Sequence, residues 1–272
     1  MTRKTHDPKR RADYLKALEL DPLWTVNPEG PLAEWERQSK AADPQAGAPA
    51  PAKPAAAPGA VDLAAAEAAS KPDAPDRAGM IARMNWETLE ATVARCCACP
   101  LYQTRTQTVF GVGDRHAEWL FVGEAPGAEE DKRGEPFVGR AGKLLDAMLQ
   151  AVDLKRGDNV YIANVLKSRP PNNRDPLGYE VQQCEPYLKR QVALIKPRII
   201  VALGRFAVQS LLHATTSLGQ LRGRPHTYEG IPLIVTYHPA YLLRSPLDKR
   251  KALEDLRLAQ RVFAGLKKDA AG

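Results

Sequence analysis

Trp119-Leu120-Phe121-Val122-Gly123-Glu124-Ala125-Pro126-Gly127 joins a run of large apolar residues to a turn of glycine and proline with one carboxylate inside it. A short, continuous apolar run bounded by turn chemistry suits a strand buried on both faces. The same texture returns in VYIANVLK at 160–167, RIIVALG at 198–204 and LIVTYH at 233–238. Between these runs lie AGKLLDAMLQAVDL (141–154), EVQQCEPYLKRQVALIKP (180–197) and RFAVQSLLH (205–213), with ARMNWETLEATVARC (82–96) before them and KRKALEDLRLAQRVFAGLKK (249–268) after. Their apolar residues recur at spacings of three and four, the mark of amphipathic helices. Strands alternating with helices predict an α/β protein with a mainly parallel sheet covered on both faces. Ligands of such sheets bind beyond the carboxyl ends of the strands, and the unusual polar and Gly/Pro stretches of this chain follow those ends.

With 272 residues and 44% hydrophobic content, the chain can bury one sizeable core and carry an appendage as well. Residues 1–40 hold short helix candidates, ADYLKALEL and PLAEWERQ, readable as a partner-binding peptide or as a plain surface helix. Residues 41–78, with APAPAKPAAAPGA at their centre, cannot assemble a core and read as a disordered linker. The folded domain is expected at 79–272. There is no apolar run long enough to span a membrane, and MTRKTHDPKRR does not lead into a signal-peptide core. A cytoplasmic, monomeric protein is expected. The net charge of +7 favours a polyanionic partner but is common among proteins that bind no nucleic acid. In such a compartment Cys96, Cys99 and Cys184, with Cys97 between the first two, suggest metal binding or redox chemistry before disulfides. A thioredoxin-type protein is excluded, because the C-x-x-C pair does not follow a strand.

Gly123 to Gly127 is followed by the acidic residues Glu129, Glu130 and Asp131 and by Pro136-Phe137-Val138-Gly139. The glycines let backbone amides approach a ligand, and the helix expected from Ala141 offers free N–H groups to an anion. The spacing matches neither the dinucleotide nor the P-loop signature. Phe137, in a glycine-rich loop, is either a stacking platform for a base or a plug over the core. The stretch Arg169-Pro170-Pro171-Asn172-Asn173-Arg174 is a loop fixed by two prolines. There Asn173 is either a turn residue or an amide able to offer a donor and an acceptor to the polar edge of a base. Tyr237-His238-Pro239-Ala240-Tyr241-Leu242-Leu243-Arg244 places an imidazole at a strand end, suited to stabilising developing charge, with Leu242 or Leu243 as a wedge into a base stack.

Together CxxCPL at 96–101, GEAPGAEED at 123–131, PFVGRAG at 136–142, RPPNNR at 169–174 and YHPAYLLR at 237–244 resemble the family 4, iron–sulfur uracil-DNA glycosylases over nearly all of residues 90–265. The resemblance implies a three-layer α/β/α fold around a four-stranded parallel sheet, and an enzyme that flips uracil out of single- or double-stranded DNA and hydrolyses its N-glycosidic bond. It further implies Phe137 stacking on uracil, Asn173 reading its polar edge, Gly123 and Ala125 lining the pocket, and His238 stabilising charge at uracil O2. Glu124 is the favoured catalytic carboxylate, with Glu130 either catalytic or placed near uracil C5. Arg140, Arg174, Tyr241, Leu242, Leu243 and Arg244 would contact DNA. No diffusible cofactor is implied, but a structural [4Fe–4S] cluster is, held by four cysteines. Here Cys96, Cys99 and Cys184 match ligand positions, while the third position is Ser168. Serine ligation or a weakened cluster ranks above substitution by Cys97. Two other readings share the scaffold: a non-catalytic DNA-binding or polymerase-associated module, and a glycosylase for another base such as hypoxanthine.

Overall fold

Every residue of Trp119–Gly123 (β2), Val160–Asn164 (β3) and Ile199–Leu203 (β4) is buried, as expected of strands covered on both faces. They come from a computed structural model that describes residues 76–269; the peptide expected at 1–40 and nearly all of the linker at 41–78 lie outside the described residues. Ile231–Thr236 (β6) completes the parallel core, with β3, β2, β4 and β6 side by side. The whole sheet has six strands rather than the four expected, because an antiparallel strand is added at each edge. At one edge Val112–Gly113 (β1) pairs with β3. At the other, Pro225–Tyr228 (β5) forms a hairpin with β6 through Glu229 and Gly230, both at positive φ, a geometry whose twist matches the strands it joins. Proline is tolerated in β5 because one side of an edge strand needs no donor.

Helices Arg77–Ile81 (α1) and Trp86–Ala94 (α2) precede the sheet, α1 starting just inside the stretch expected as linker. Asn85 caps α2 by accepting from Thr88 N at 2.9 Å. Ala128–Arg133 (α3) and Arg140–Gln150 (α4) follow β2, Gly178–Ile195 (α5) follows β3, and Arg205–Leu212 (α6) follows β4. After the short turn Leu218–Leu221 (α7) and the β5–β6 hairpin come Pro239–Leu242 (α8) and the long Lys249–Asp269 (α9). One core joins Leu120, Val122, Ala163, Ile200, Ala202 and Val235 of the strands to Leu188 and Val192 of α5 and Val208 and Leu211 of α6. Burial of each such side chain stabilises by roughly 1.5–3 kcal/mol, so the strand ends rest on a stiff base. Among the described residues, no helix is long and apolar enough to cross a membrane.

Candidate active site

Four strand ends meet on one rim. Gly123 ends β2 in register with Asn164 at the end of β3, and Leu203 of β4 pairs with Thr236 of β6, one residue before Gly204 and two before His238. Gly123 has to lack a side chain, since a Cβ there would stand 2.4 Å from Asn164 Oδ1 and 2.6 Å from Phe137 Cζ. Gly204, at φ +87°, clears His238 in the same way: a Cβ would lie 2.7 Å from that of the histidine. The Phe137 and His238 ring centroids are 5.4 Å apart. Phe137, Asn164 and His238 therefore converge on a single spot, and the glycines leave the room for them.

Each group carries a distinct chemistry. Asn164 is 2% exposed, and its Oδ1 has no hydrogen-bond partner. A buried acceptor left open costs stability unless something fills it. His238 Nδ1 accepts from Ala240 N at 3.2 Å. Burial first, then the nearby Arg244 charge, push its pKa down to about 4, against the opposing effect of Glu130. At neutral pH the ring is thus uncharged with its proton on Nε2, a donor free to face a ligand. Glu124, half-buried just beyond β2, has its pKa raised to about 7 by desolvation and by Asp175, with Arg205 pulling the other way. That is the range of a general base working near neutrality.

Some of the expected residues occupy other roles. Glu130 accepts at Oε2 from Gly127 N at 3.1 Å and at Oε1 from Val138 N and Gly139 N at 3.0 and 3.1 Å. It braces the loop that carries Phe137 rather than presenting a free carboxylate. Asn173 is exposed in the turn Pro171–Asn173, where its Oδ1 accepts from Arg169 Nε at 2.8 Å. The amide buried beside Phe137 is Asn164, for which a carboxamide closing an all-apolar strand was the signal available in the sequence. Ala125 packs against Cys99, Leu101, Leu166 and Cys184. Arg174 is committed to Glu180 through bonds of 2.6 and 2.9 Å. Tyr241 stacks on Tyr237 and donates its hydroxyl to Asp248 at 2.6 Å. Leu242, expected as a wedge, is fully buried, at 0% exposure. Leu243 is half-buried, Arg140 and Arg244 are exposed, and Leu247, in the turn Pro246–Asp248 that follows, is 83% exposed.

The cysteines are all free thiols. Cys99 and Cys184 are buried in one apolar group, and Cys96 lies half-buried beyond the end of α2. Desolvation raises both buried thiols, Cys184 to about 11, with smaller upward contributions from Cys96 at Cys99 and from Cys99 and Cys96 at Cys184. Ser168 is buried, and its Oγ accepts from Arg105 Nη1 at 3.0 Å; the same arginine opposes the rise at Cys99. Among the described residues, no three His, Cys, Asp or Glu side chains close to the distance of a single metal ion. A multi-iron cluster asks for something wider, one thiolate per iron. Cys99 and Cys184 share one buried apolar group, Cys96 packs against the neighbouring one around Leu89 and Val93, and Ser168 offers an oxygen where a fourth sulfur would be needed.

The model of the uracil DNA glycosylase superfamily matches residues 110–257. A type-4 uracil-DNA glycosylase of Archaeoglobus fulgidus is 48% identical over 173 residues, covering 61% of this chain and 86% of that one. Its counterpart from Sulfurisphaera tokodaii is 45% identical over 62% of this chain and 80% of its own. The type-4 enzyme of Thermotoga maritima is 44% identical over 64% and 92%. A family match over more than half of the chain, joined to relatives this similar over most of their own length, makes this chain a member of the uracil-DNA glycosylase superfamily.

Proposed function

We propose that this protein removes uracil from DNA by hydrolysing the bond between uracil N1 and the sugar C1′, leaving free uracil and an abasic site, as a step of DNA repair. The observation that carries the reading is the buried, unpartnered Oδ1 of Asn164 beside the Phe137 ring. An open acceptor there takes the N3–H of uracil, while the amide Nδ2 donates to O4; cytosine presents an acceptor at N3 and a donor at C4, so the same amide rejects it. Phe137 stacks on the flipped base. As the C1′–N1 bond breaks, its electron pair moves into the uracil ring and onto O2, where the neutral His238 donates from Nε2. Glu124 takes a proton from the water that attacks C1′ and faces the positive charge developing on the sugar.

The DNA contacts fall to Arg140 and Arg244, which are exposed on the rim, whereas Arg174 acts within the protein. In place of Leu242, we assign the wedge to Leu247, the exposed apolar side chain of the loop that continues from His238. Leu247→Ala is expected to lower excision from duplex DNA several-fold more than from single strands, since only a stack leaves a gap to fill; equal losses on both would remove the wedge. The protein acts in the cytoplasm.

Cys96, Cys99 and Cys184, with Ser168 at the fourth corner, would hold the [4Fe–4S] cluster. When bound, it supplies a cross-link between the segment after α2, the loop after β3 and helix α5. Arg105 donates to the Ser168 oxygen and would favour its anionic, ligating form. Replacing Ser168 by cysteine is expected to increase iron retained through aerobic purification, measured as iron per chain; unchanged retention would place Ser168 outside the cluster.

The central test is incubation of oligonucleotides bearing uracil, hypoxanthine or a G·T mismatch, followed by alkaline cleavage of abasic sites. Release from the uracil strand alone is expected. No release from any strand would leave a DNA-binding module, and release from hypoxanthine alone would reassign the base.

A further inference from the structure

The ring of Phe137 sits on a backbone that phenylalanine rarely adopts, with φ +56°. A bulky residue in the left-handed region stays there only when its surroundings impose it. Two charged side chains do so from opposite sides. Glu130 holds the amides of Val138 and Gly139, as described above. The carbonyls are held by Arg156, a residue no motif contains: Nη1 donates to Pro136 O at 3.0 Å and Nη2 to Phe137 O at 2.9 Å. Its Nε donates to Asp146 Oδ1 of α4 at 2.9 Å, so the guanidinium is anchored on a helix that is itself packed into the core. Arg156 is half-buried in a tight turn in which Asp158 N donates to Lys155 O at 3.1 Å and Gly157 supplies φ +77°. The Phe137 carbonyl also lies against Gly142, where a Cβ would come within 1.7 Å of it, so the first turn of α4 admits this oxygen only because residue 142 has no side chain.

We infer that Arg156 is a positioning residue for base excision: its planar fork, anchored by Asp146, holds the two carbonyls around Phe137 and so keeps the ring against Gly123 and Asn164, where the flipped base must stack. The inference rests on the assignment of Phe137 to uracil. Lysine at 156 would keep the charge but offers a single ammonium in place of two parallel N–H groups set by a rigid plane.

The test is a double-mutant cycle with free uracil as the probe, read as product inhibition of excision, with the melting temperature followed alongside. Arg156→Ala is expected to raise the uracil inhibition constant about tenfold, and Arg156→Lys nearly as much. In a Phe137→Ala background, neither change should move it further, because the ring that Arg156 positions is gone. An equal effect with and without the ring, or an unchanged inhibition constant, overturns the inference. Should Arg156→Ala lose its cooperative melting, Asp146→Ala carries the same cycle: it leaves both carbonyl bonds and removes the acceptor of the third, with a smaller rise expected and the same loss of effect without the ring. Wild-type protein that excises uracil while the cycle shows no coupling overturns the clamp alone; wild-type protein that excises none overturns the clamp and the assigned function together.

Discussion

Glu124→Gln is expected to lower kcat by about 10²- to 10⁴-fold, the range over which a positioned general base acts. With its pKa raised to about 7 by desolvation and Asp175, the carboxylate holds a proton on the acid side of neutrality. Wild-type activity should therefore fall about tenfold per pH unit below that value, and the glutamine variant should lose this limb and keep only a flat residue of activity. His238, pushed to about 4, contributes no limb in the same window. A glutamine variant that keeps the acid limb would assign it to another group and remove Glu124 from the water. Stability separates this from unfolding. A carboxyl whose folded pKa stands above its ordinary value makes the folded state bind more protons than the unfolded chain between the two, so stability falls as pH rises through that window. Glutamine has no charge to desolvate, so the variant should melt higher than wild type at about pH 8 and alike at about pH 4. Loss of activity joined to a gain of stability is the signature of a group kept for chemistry.

Asn164→Ala is expected to lower kcat/KM for uracil by about 10²- to 10³-fold. Two hydrogen bonds to the base are lost and its polar edge is left unpaired in a dry pocket, together about 3–4 kcal/mol, and each 1.36 kcal/mol is about a decade of rate. The free protein should be no less stable, because Asn164 Oδ1 has no partner to lose. Asn173→Ala is the internal comparison: an exposed side chain bonded only to Arg169 should cost little. The reverse ranking, with Asn173 essential and Asn164 dispensable, would return base reading to the proline loop and dismantle the pocket described here.

The roles of Asn164 and Asn173 show where the sequence stops speaking. Asn164 lies inside the second apolar run and Asn173 follows it, and a loop fixed by prolines favours Asn173 because amides usually serve turns and loops. What singles out Asn164 is the register of β3 against β2, which sets it opposite Gly123 and under Phe137. Register is a property of paired strands and is absent from either one alone. The edge strands were hidden for a related reason: Val112–Gly113 is too short to show a period, and Pro225–Tyr228 lacks an apolar run, so each is a strand only through its neighbour.

Leu242 and Arg174 follow the same rule. Sequence places an apolar residue and a cation next to the site, but packing turns one into the core and Glu180 claims the other. The apolar runs and their alternation with amphipathic segments were sufficient by themselves for the parallel α/β core, because burial on both faces and helical spacing are local patterns. The GEAPG turn that ends the first of those runs likewise announced a site beyond the strand ends. Which amide is buried beside Phe137, which leucine is exposed and which arginine bonds the carbonyls of Pro136 and Phe137 were decided only when strands and loops came together. Hydrogen bonds and burial join residues far apart in the chain, and no local pattern records them.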